Sequence, residues 1–171
     1  MSIRLTRLVI DVEAHVAAQG WDQPPQLFAL VETADLLRRE PQLAEQLGLV
    51  ASDRADLTPV DQGELPEHST LEELLGGLVW PAEVLGAAIA VERLMLPPTV
   101  EDQLPPDETE ALAWLAEHPE RQEVRLVVAV MRDGTRAAAL RMRAHDRDSA
   151  VLSGPDLVPA LADALADTLR D

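Results

Sequence analysis

Apolar residues at Leu5, Leu8, Val9, Val12 and Val16 recur every three or four positions, the period of an amphipathic helix. Ser2 offers an N-cap and Gly20 a stop, so the pattern predicts a first helix between them. Trp21 to Gln26, with Pro24 and Pro25, reads as a connector. Leu27–Glu32 is a short apolar run suited to a buried strand. Thr33 can cap a short helix, Ala34–Arg39, that ends before Pro41. Pro41 fits the first turn of another helix, which runs to about Leu47 and stops at Gly48.

From Leu49 to His68 acids, prolines and a glycine mix without a period. The expectation there is a surface loop, long enough to be functional. Ser69 or Thr70 then opens a helix through Leu71, Leu74, Leu75 and Leu78. Ser69 and Glu72 have capping-box spacing, and Trp80-Pro81 closes the unit. Val84–Leu96 suits either helix or strand. A strand from Ala87 to Leu96 is preferred, because the hairpin downstream needs more sheet to be stable. Pro97–Pro106 is a proline-rich linker. Asp107 opens a helix with Leu112 and Leu115 on one face, ending at Pro119.

The clearest signal is Val124–His145. Two runs flank Arg132-Asp133-Gly134-Thr135, and Asp-Gly between alternating apolar runs marks a hairpin. Leu126, Val128 and Val130 share a face of the first strand. In the second, Leu140, Met142 and Ala144 share one face, and Arg141, Arg143 and His145 the other. One face is then core and the other a cationic ladder. Asp146–Gly154 reads as a connector. Ser153-Gly154-Pro155 starts a last helix with Leu157, Val158, Leu161, Leu165 and Leu169 on its apolar side. Helix and antiparallel strand in this order imply one α+β domain over residues 1–171, with 49–68 and 97–106 as loop segments. Its form is a two-layer sandwich: about four mainly antiparallel strands, with helices mainly on one face.

Composition narrows the chemistry. The 171 residues contain no cysteine and no tyrosine, and all fourteen basic residues are arginine. No lysine means no Schiff base and no lysine-bearing phosphate loop. No cysteine means no disulfide, thiolate nucleophile or thiolate metal site, which fits a reducing cytoplasm. Asparagine is missing as well, and the four absences together suggest the GC-rich coding bias of a high-GC bacterium. A chain of this length buries roughly 70% of its unfolded surface, enough for one core without staples. Met1–Ile10 carries arginines and no long apolar run, so no signal peptide is expected. No apolar stretch reaches ~18 residues, so no membrane span is expected either.

The net charge is −17, which repels phosphate backbones and argues against nucleic-acid binding. The charge is uneven. Asp53 to Glu120 holds sixteen acids and two arginines, whereas Arg121 to Arg147 holds seven arginines against three acids. The hairpin arginines are therefore the leading candidate contact surface: Arg125, Arg141 and Arg143, with His145. Same-face strand neighbours lie roughly 7 Å apart, so like charges there need an answer. That answer is the chain's own acids, a second copy, or an external anionic partner. Arg93, nearly alone in the acidic middle, and Trp80 before Pro81 join the candidate binding set. Arg93 reads chiefly as a partly buried ion pair and Trp80 as a core residue. Asp53–Glu67 and Pro97–Glu110 would form a second, acidic contact surface.

No catalytic signature is present, no local histidine pair suggests a metal, and no cofactor is implied. His145-Asp146-x-Asp148-Ser149 has the residue types for a metal or nucleophile relay, but on a strand end they diverge, so a polar connector is favoured. Leu27-Phe28-Ala29-Leu30-Val31, Leu57-Thr58-Pro59-Val60, Trp80-Pro81, Glu92-Arg93 with Leu96-Pro97-Pro98, Arg132-Asp133-Gly134, Arg141-x-Arg143-x-His145-Asp146 and Gly154-Pro155-x-Leu157-Val158-Pro159 together define a pattern. It resembles an uncharacterised family of small acidic actinobacterial proteins, over nearly the whole chain. The resemblance implies lineage and a cytoplasmic setting, not a mechanism. The architecture is also similar to small dimerising sandwiches such as type III secretion chaperones, an analogy of fold alone. The expected function is a non-enzymatic protein-interaction or regulatory module, a homodimer that binds neither nucleic acid nor membrane. The alternative is a small-molecule enzyme or sensor that holds an anionic metabolite. On the first reading, reversing the charge of Arg141 and Arg143 together removes the partner and leaves the fold cooperative.

Overall fold

The computed structural model describes residues 3–46, 57–64, 75, 78, 80–95, 103, 105–117, 122–154 and 157–169. Helix α1 spans Ile3–Ala17. Strand β1 (Gln26–Glu32) leads into α2 (Thr33–Arg39) and α3 (Pro41–Gln46). Strands β2 (Leu57–Glu64) and β3 (Gly86–Met95) follow, then α4 (Glu108–Glu117). The hairpin is β4 (Gln122–Met131) and β5 (Arg136–Met142). A short strand β6 (Leu152–Gly154) precedes the last helix, α5 (Pro159–Asp167).

The six strands form one sheet in the order β2-β1-β3-β4-β5-β6, with every neighbouring pair antiparallel. The sheet has two strands more than the sequence pattern suggests. One is β2, inside the expected Leu49–His68 loop. The other is β6, inside the expected Asp146–Gly154 connector. Both are edge strands. Pro59 lacks an N–H to donate, which an edge position tolerates. The ambiguous segment is a strand, paired residue for residue with β4 from Gly86↔Met131 to Met95↔Gln122. Gly86 has no room for a side chain, since a Cβ there would stand 2.6 Å from the Val130 carbonyl oxygen. The hairpin closes where the Met131 N–H donates to the Thr135 carbonyl at 2.8 Å. Gly134, at φ +90, takes the left-handed conformation the turn requires.

Both faces of the sheet are core. Leu126, Val128, Val130, Ala138 and Leu140 pack with Leu75, Trp80, Leu161 and Leu165 on one side. Val127, Ala129, Ala137 and Ala139 pack with Leu5, Val9, Val12 and Val16 of α1 on the other. The expected arrangement of helices mainly on one face is therefore corrected: α1 covers one face and α5 the opposite one. The reason is visible in β4, where Val124 to Val130 is buried without interruption. A strand covered on both sides reads as a continuous apolar run rather than an alternating one. Each fully buried Leu or Val side chain contributes on the order of 1.5–3 kcal/mol, so the second core is a substantial part of the fold.

At α4, Asp107 acts as the expected cap, its carboxylate accepting the Glu110 N–H at 3.0 Å. Thr33 does not cap α2. It is buried in the first turn, 2.7 Å from the Thr58 hydroxyl of β2. The expected helix start at Ser69 and most of the Pro97–Pro106 linker lie outside the described residues.

Candidate functional site

The hairpin arginines do not form an exposed ladder. Strand β5 ends at Met142, and Arg143 to His145 make one turn of 3₁₀ helix, so the alternation that would align Arg141, Arg143 and His145 is broken. Arg125 and Arg141 sit opposite each other in the β4–β5 register, on the face covered by α1. Their side chains are 1% and 3% exposed. Between them lies Glu13 of α1, equally buried. Its Oε2 accepts from Arg125 Nη1 at 3.2 Å. Its Oε1 accepts from Arg141 Nε at 2.8 Å and lies 2.7 Å from Arg141 Nη2. Arg125 Nη2 also donates to the Gly20 carbonyl at 2.6 Å. A buried guanidinium is tolerable only when its donors are answered. Here most of the answers come from the turn and helix that lie over the strands, while Arg125 Nε stays buried with no hydrogen-bond partner among the described residues.

A second layer of charge closes over this cluster. Trp21 places its ring 4.4 Å from the Arg125 guanidinium and 5.5 Å from that of Arg143, both within cation–π reach. The Trp21 indole N–H donates to Asp146 Oδ2 at 3.1 Å, and Arg141 Nη1 donates to Oδ1 at 3.1 Å. The indole hydrogen bond, then Arg141, holds the Asp146 carboxyl below its ordinary value. Arg143 is exposed and bridges Asp22 and Glu123. Those two hydrogen bonds push its pKa further up. Glu92 accepts the backbone N–H groups of Asp22 and Gln23, each at 2.8 Å. The cluster ties α1 and the Trp21 turn to the end of the sheet. Its chemistry is structural pinning, because the guanidinium donors, Arg125 Nε excepted, face internal acids and carbonyls.

The remaining sequence candidates scatter. Arg93 is exposed on β3 and forms no ion pair among the described residues, so the expected partly buried bridge is absent there. His145 is exposed in the 3₁₀ turn. Trp80 is buried, and its indole donates to the Thr168 hydroxyl at 2.9 Å. Arg132, which the sequence did not single out, collects carbonyls from three directions. Its Nε donates to Val84, Nη1 to Leu169, and Nη2 to Trp80 and Pro81. Its position at the head of an Asp-Gly turn was the available signal.

An open cavity of about 620 Å³ lies between α1 and the β1–β2 edge of the sheet. One wall is a stripe of α1: Arg4, Arg7, Asp11 and His15, with Leu8 and Val12 beneath. The floor is Phe28 of β1 with Leu57 and Pro59 of β2, and Asp61 stands at its rim. In β1 and β2 alternate residues face the same side. Phe28 therefore shares the α1 face with its register partner Asp61, and Pro59 pairs with Leu30 beside it. The sequence does not signal this cavity, because three of its strand residues, Leu57, Pro59 and Asp61, fall in the segment expected to be a loop.

Among the described residues, no group of three His, Asp or Glu side chains is placed to hold a metal ion. No helix among the described residues is long and apolar enough to cross a membrane. Comparison with curated proteins and with solved structures gives no match. A family model described as PPA1309-like protein matches residues 5–170. That span takes in all six strands, α5 and all of α1 but its first two residues, so both sheet faces, the buried charge cluster and every cavity residue except Arg4 lie within it, and the chain belongs to the PPA1309-like protein family.

Proposed function

We propose that this protein is a non-enzymatic, cytoplasmic regulatory module that holds a small ligand in the cavity beside α1. The observation that carries this reading is the cavity itself. Its volume of about 620 Å³ falls within the ~300–1,000 Å³ of small-molecule sites, and an apolar floor with a few polar groups at the rim is their usual make-up. The hairpin arginines Arg125, Arg141 and Arg143 are engaged with Glu13, Asp146, Asp22 and Glu123, which moves the candidate site from the hairpin to the α1 wall. The lack of cysteine and the arginine-only basic set support a reducing cytoplasm in an actinobacterial host.

The test is to incubate the protein with a small-molecule extract of the native cell and identify what it retains. Wild type is compared with Pro59→Trp, which fills the cavity from a half-buried position in its floor. Retention by wild type and loss from the variant supports the reading. Identical retention by both removes it.

A protein-interaction role through self-association is the second reading, supported by one feature. Leu152 is 53% exposed on the edge strand β6, where a second copy can extend the sheet. Leu152→Lys should then shift the sedimentation of a homodimer to that of the monomer. A wild type that sediments as a monomer defeats this reading.

A further inference from the structure

We propose that the ligand of the α1 cavity is an amphipathic anion: an apolar chain or ring system that ends in a single carboxylate-type head. The proposal rests on the reading of the cavity as a ligand site and adds the ligand's chemistry. Three observations lead to it.

The floor is apolar and already well covered, with Phe28 4%, Leu8 6% and Leu57 8% exposed. A face that a protein partner buries needs several hundred Å² of open surface on each side, and these side chains do not offer it. A thin apolar body entering the cavity meets them without uncovering anything.

The polar groups are ordered along the wall. Arg4 and Arg7 stand one helical turn apart at one end, Asp11 follows one turn on, and His15 one turn beyond that. Residues three and four apart share a helix face, so both arginines lie at this end of the cavity, where Arg4 also acts on Asp133 and Arg7 supplies the open cation. Arg7 is exposed and in no ion pair among the described residues. Arginine is suited to a carboxylate because its planar fork matches the two oxygens.

The third observation is the contrast with the rest of the molecule. The net charge is −17, and the hairpin arginines are tied to acids. A cationic end beside an apolar floor is therefore complementary to an anion that most of this surface repels.

The chain offers a clean reporter. Phe28 is its one phenylalanine, so incorporation of 4-fluorophenylalanine gives a single fluorine resonance inside the cavity. The full-length protein is titrated with decanoate, decanol and decyltrimethylammonium. The expected result is a saturable shift of that resonance with decanoate, and binding by decanol and the ammonium at least about tenfold weaker. Arg7→Glu should weaken decanoate by about tenfold, the loss of one charge-assisted contact. Arg147→Glu, at an exposed arginine outside α1, should leave it unchanged.

Decanol binding as tightly as decanoate overturns the anion assignment while leaving the cavity as a ligand site. Preference for the ammonium overturns it in favour of Asp11 and Asp61. Silence of the Phe28 resonance toward all three overturns the amphiphile class. The extract experiment then decides separately whether the cavity binds anything.

Discussion

Arg125 and Arg141 face each other directly across the β4–β5 ladder, and one carboxylate, Glu13, answers both. Two like charges directly opposite on a sheet destabilise it. Buried at 1% and 3% exposure, they would be worse without that partner. The helix that carries Glu13 is thereby fixed in rotation and in position along the sheet. Leu5, Val9, Val12 and Val16 can pack over alanines and valines in several ways, but only one of them brings Glu13 between the two guanidinium groups.

Neutralising the bridge should therefore be costly. Glu13→Gln keeps the shape and removes the charge, leaving two buried arginines with no full countercharge between them. A loss of about 3–5 kcal/mol is expected, the usual cost of breaking a buried pair from one side. Replacing all three residues by apolar ones of similar size, Glu13→Leu with Arg125→Met and Arg141→Met, should recover most of it. Urea denaturation of the two variants measures both. A Glu13→Gln midpoint equal to wild type would show that the cluster carries no such load.

The two arginines first assigned to one surface should behave differently. Arg141→Glu places a second carboxylate beside Glu13 in a dry site, and the fold should be lost or nearly so. Arg143→Glu changes an exposed side chain that meets Asp22 and Glu123 at the surface, so its urea midpoint should stay close to wild type. Loss of partner binding with an intact fold was the expectation from sequence for the double reversal. The buried position of Arg141 predicts unfolding instead, and circular dichroism of the two single variants separates the outcomes.

The sequence was informative where burial follows a simple period. The stripe from Leu5 to Val16, the run at Leu27–Val31 and the Asp-Gly turn all lie where the pattern puts them. Strand β2 was hidden because its edge position tolerates Pro59 and exposes Asp61, which together look like loop. The second core was hidden for a different reason. Val127, Ala129, Ala137 and Ala139 are small residues that become a packing surface only once α1 is known to cover them. Without that cover, the period alone makes Arg141 look solvent-facing too. Its partner Glu13 is 128 residues distant in sequence, and no local spacing reports a contact of that range. The cavity needed three elements at once, one of them the unrecognised strand.

Asp146 should make stability depend on pH at the acid end. Its carboxyl is held below the ordinary value of 3.8 by the Trp21 indole, then by Arg141. A carboxyl with a depressed folded-state pKa stabilises the fold fully above its unfolded value. That contribution is lost as pH falls from the ordinary value through the lower, folded one. Asp146→Asn should therefore be less stable than wild type at pH 6, and the gap should close progressively below about pH 3.8. The group is about half exposed, so solvent screening keeps the gap small. Guanidinium titrations of both proteins at a series of pH values give the curve. A gap that stays constant to the lowest pH would place the effect elsewhere.

Arg132 should pin the opposite end of the sheet, at a smaller cost when lost than Glu13. Its guanidinium joins the hairpin turn to Val84 at the entry to β3, to Trp80 and Pro81 before it, and to Leu169 just past α5. The last of these satisfies a carbonyl beyond the helix end, where intrahelical donors run out. Trp80 closes the same junction through Thr168, whose hydroxyl also donates to the Leu165 carbonyl at 2.6 Å. Arg132→Lys keeps the charge but cannot reproduce a planar fork. It should cost about 1–3 kcal/mol, the range for hydrogen bonds from a charged donor or for orphaned acceptors. Thr168→Val should cost on the order of 1 kcal/mol by leaving the Trp80 indole unanswered. The two changes touch one junction, so the double variant should lose less than the sum. Hydrogen exchange locates the effect: amides of Thr168 and Leu169 should lose protection in Arg132→Lys while those of α1 keep theirs. Equal loss at both ends would mean that the junction does not open independently of the Glu13 cluster.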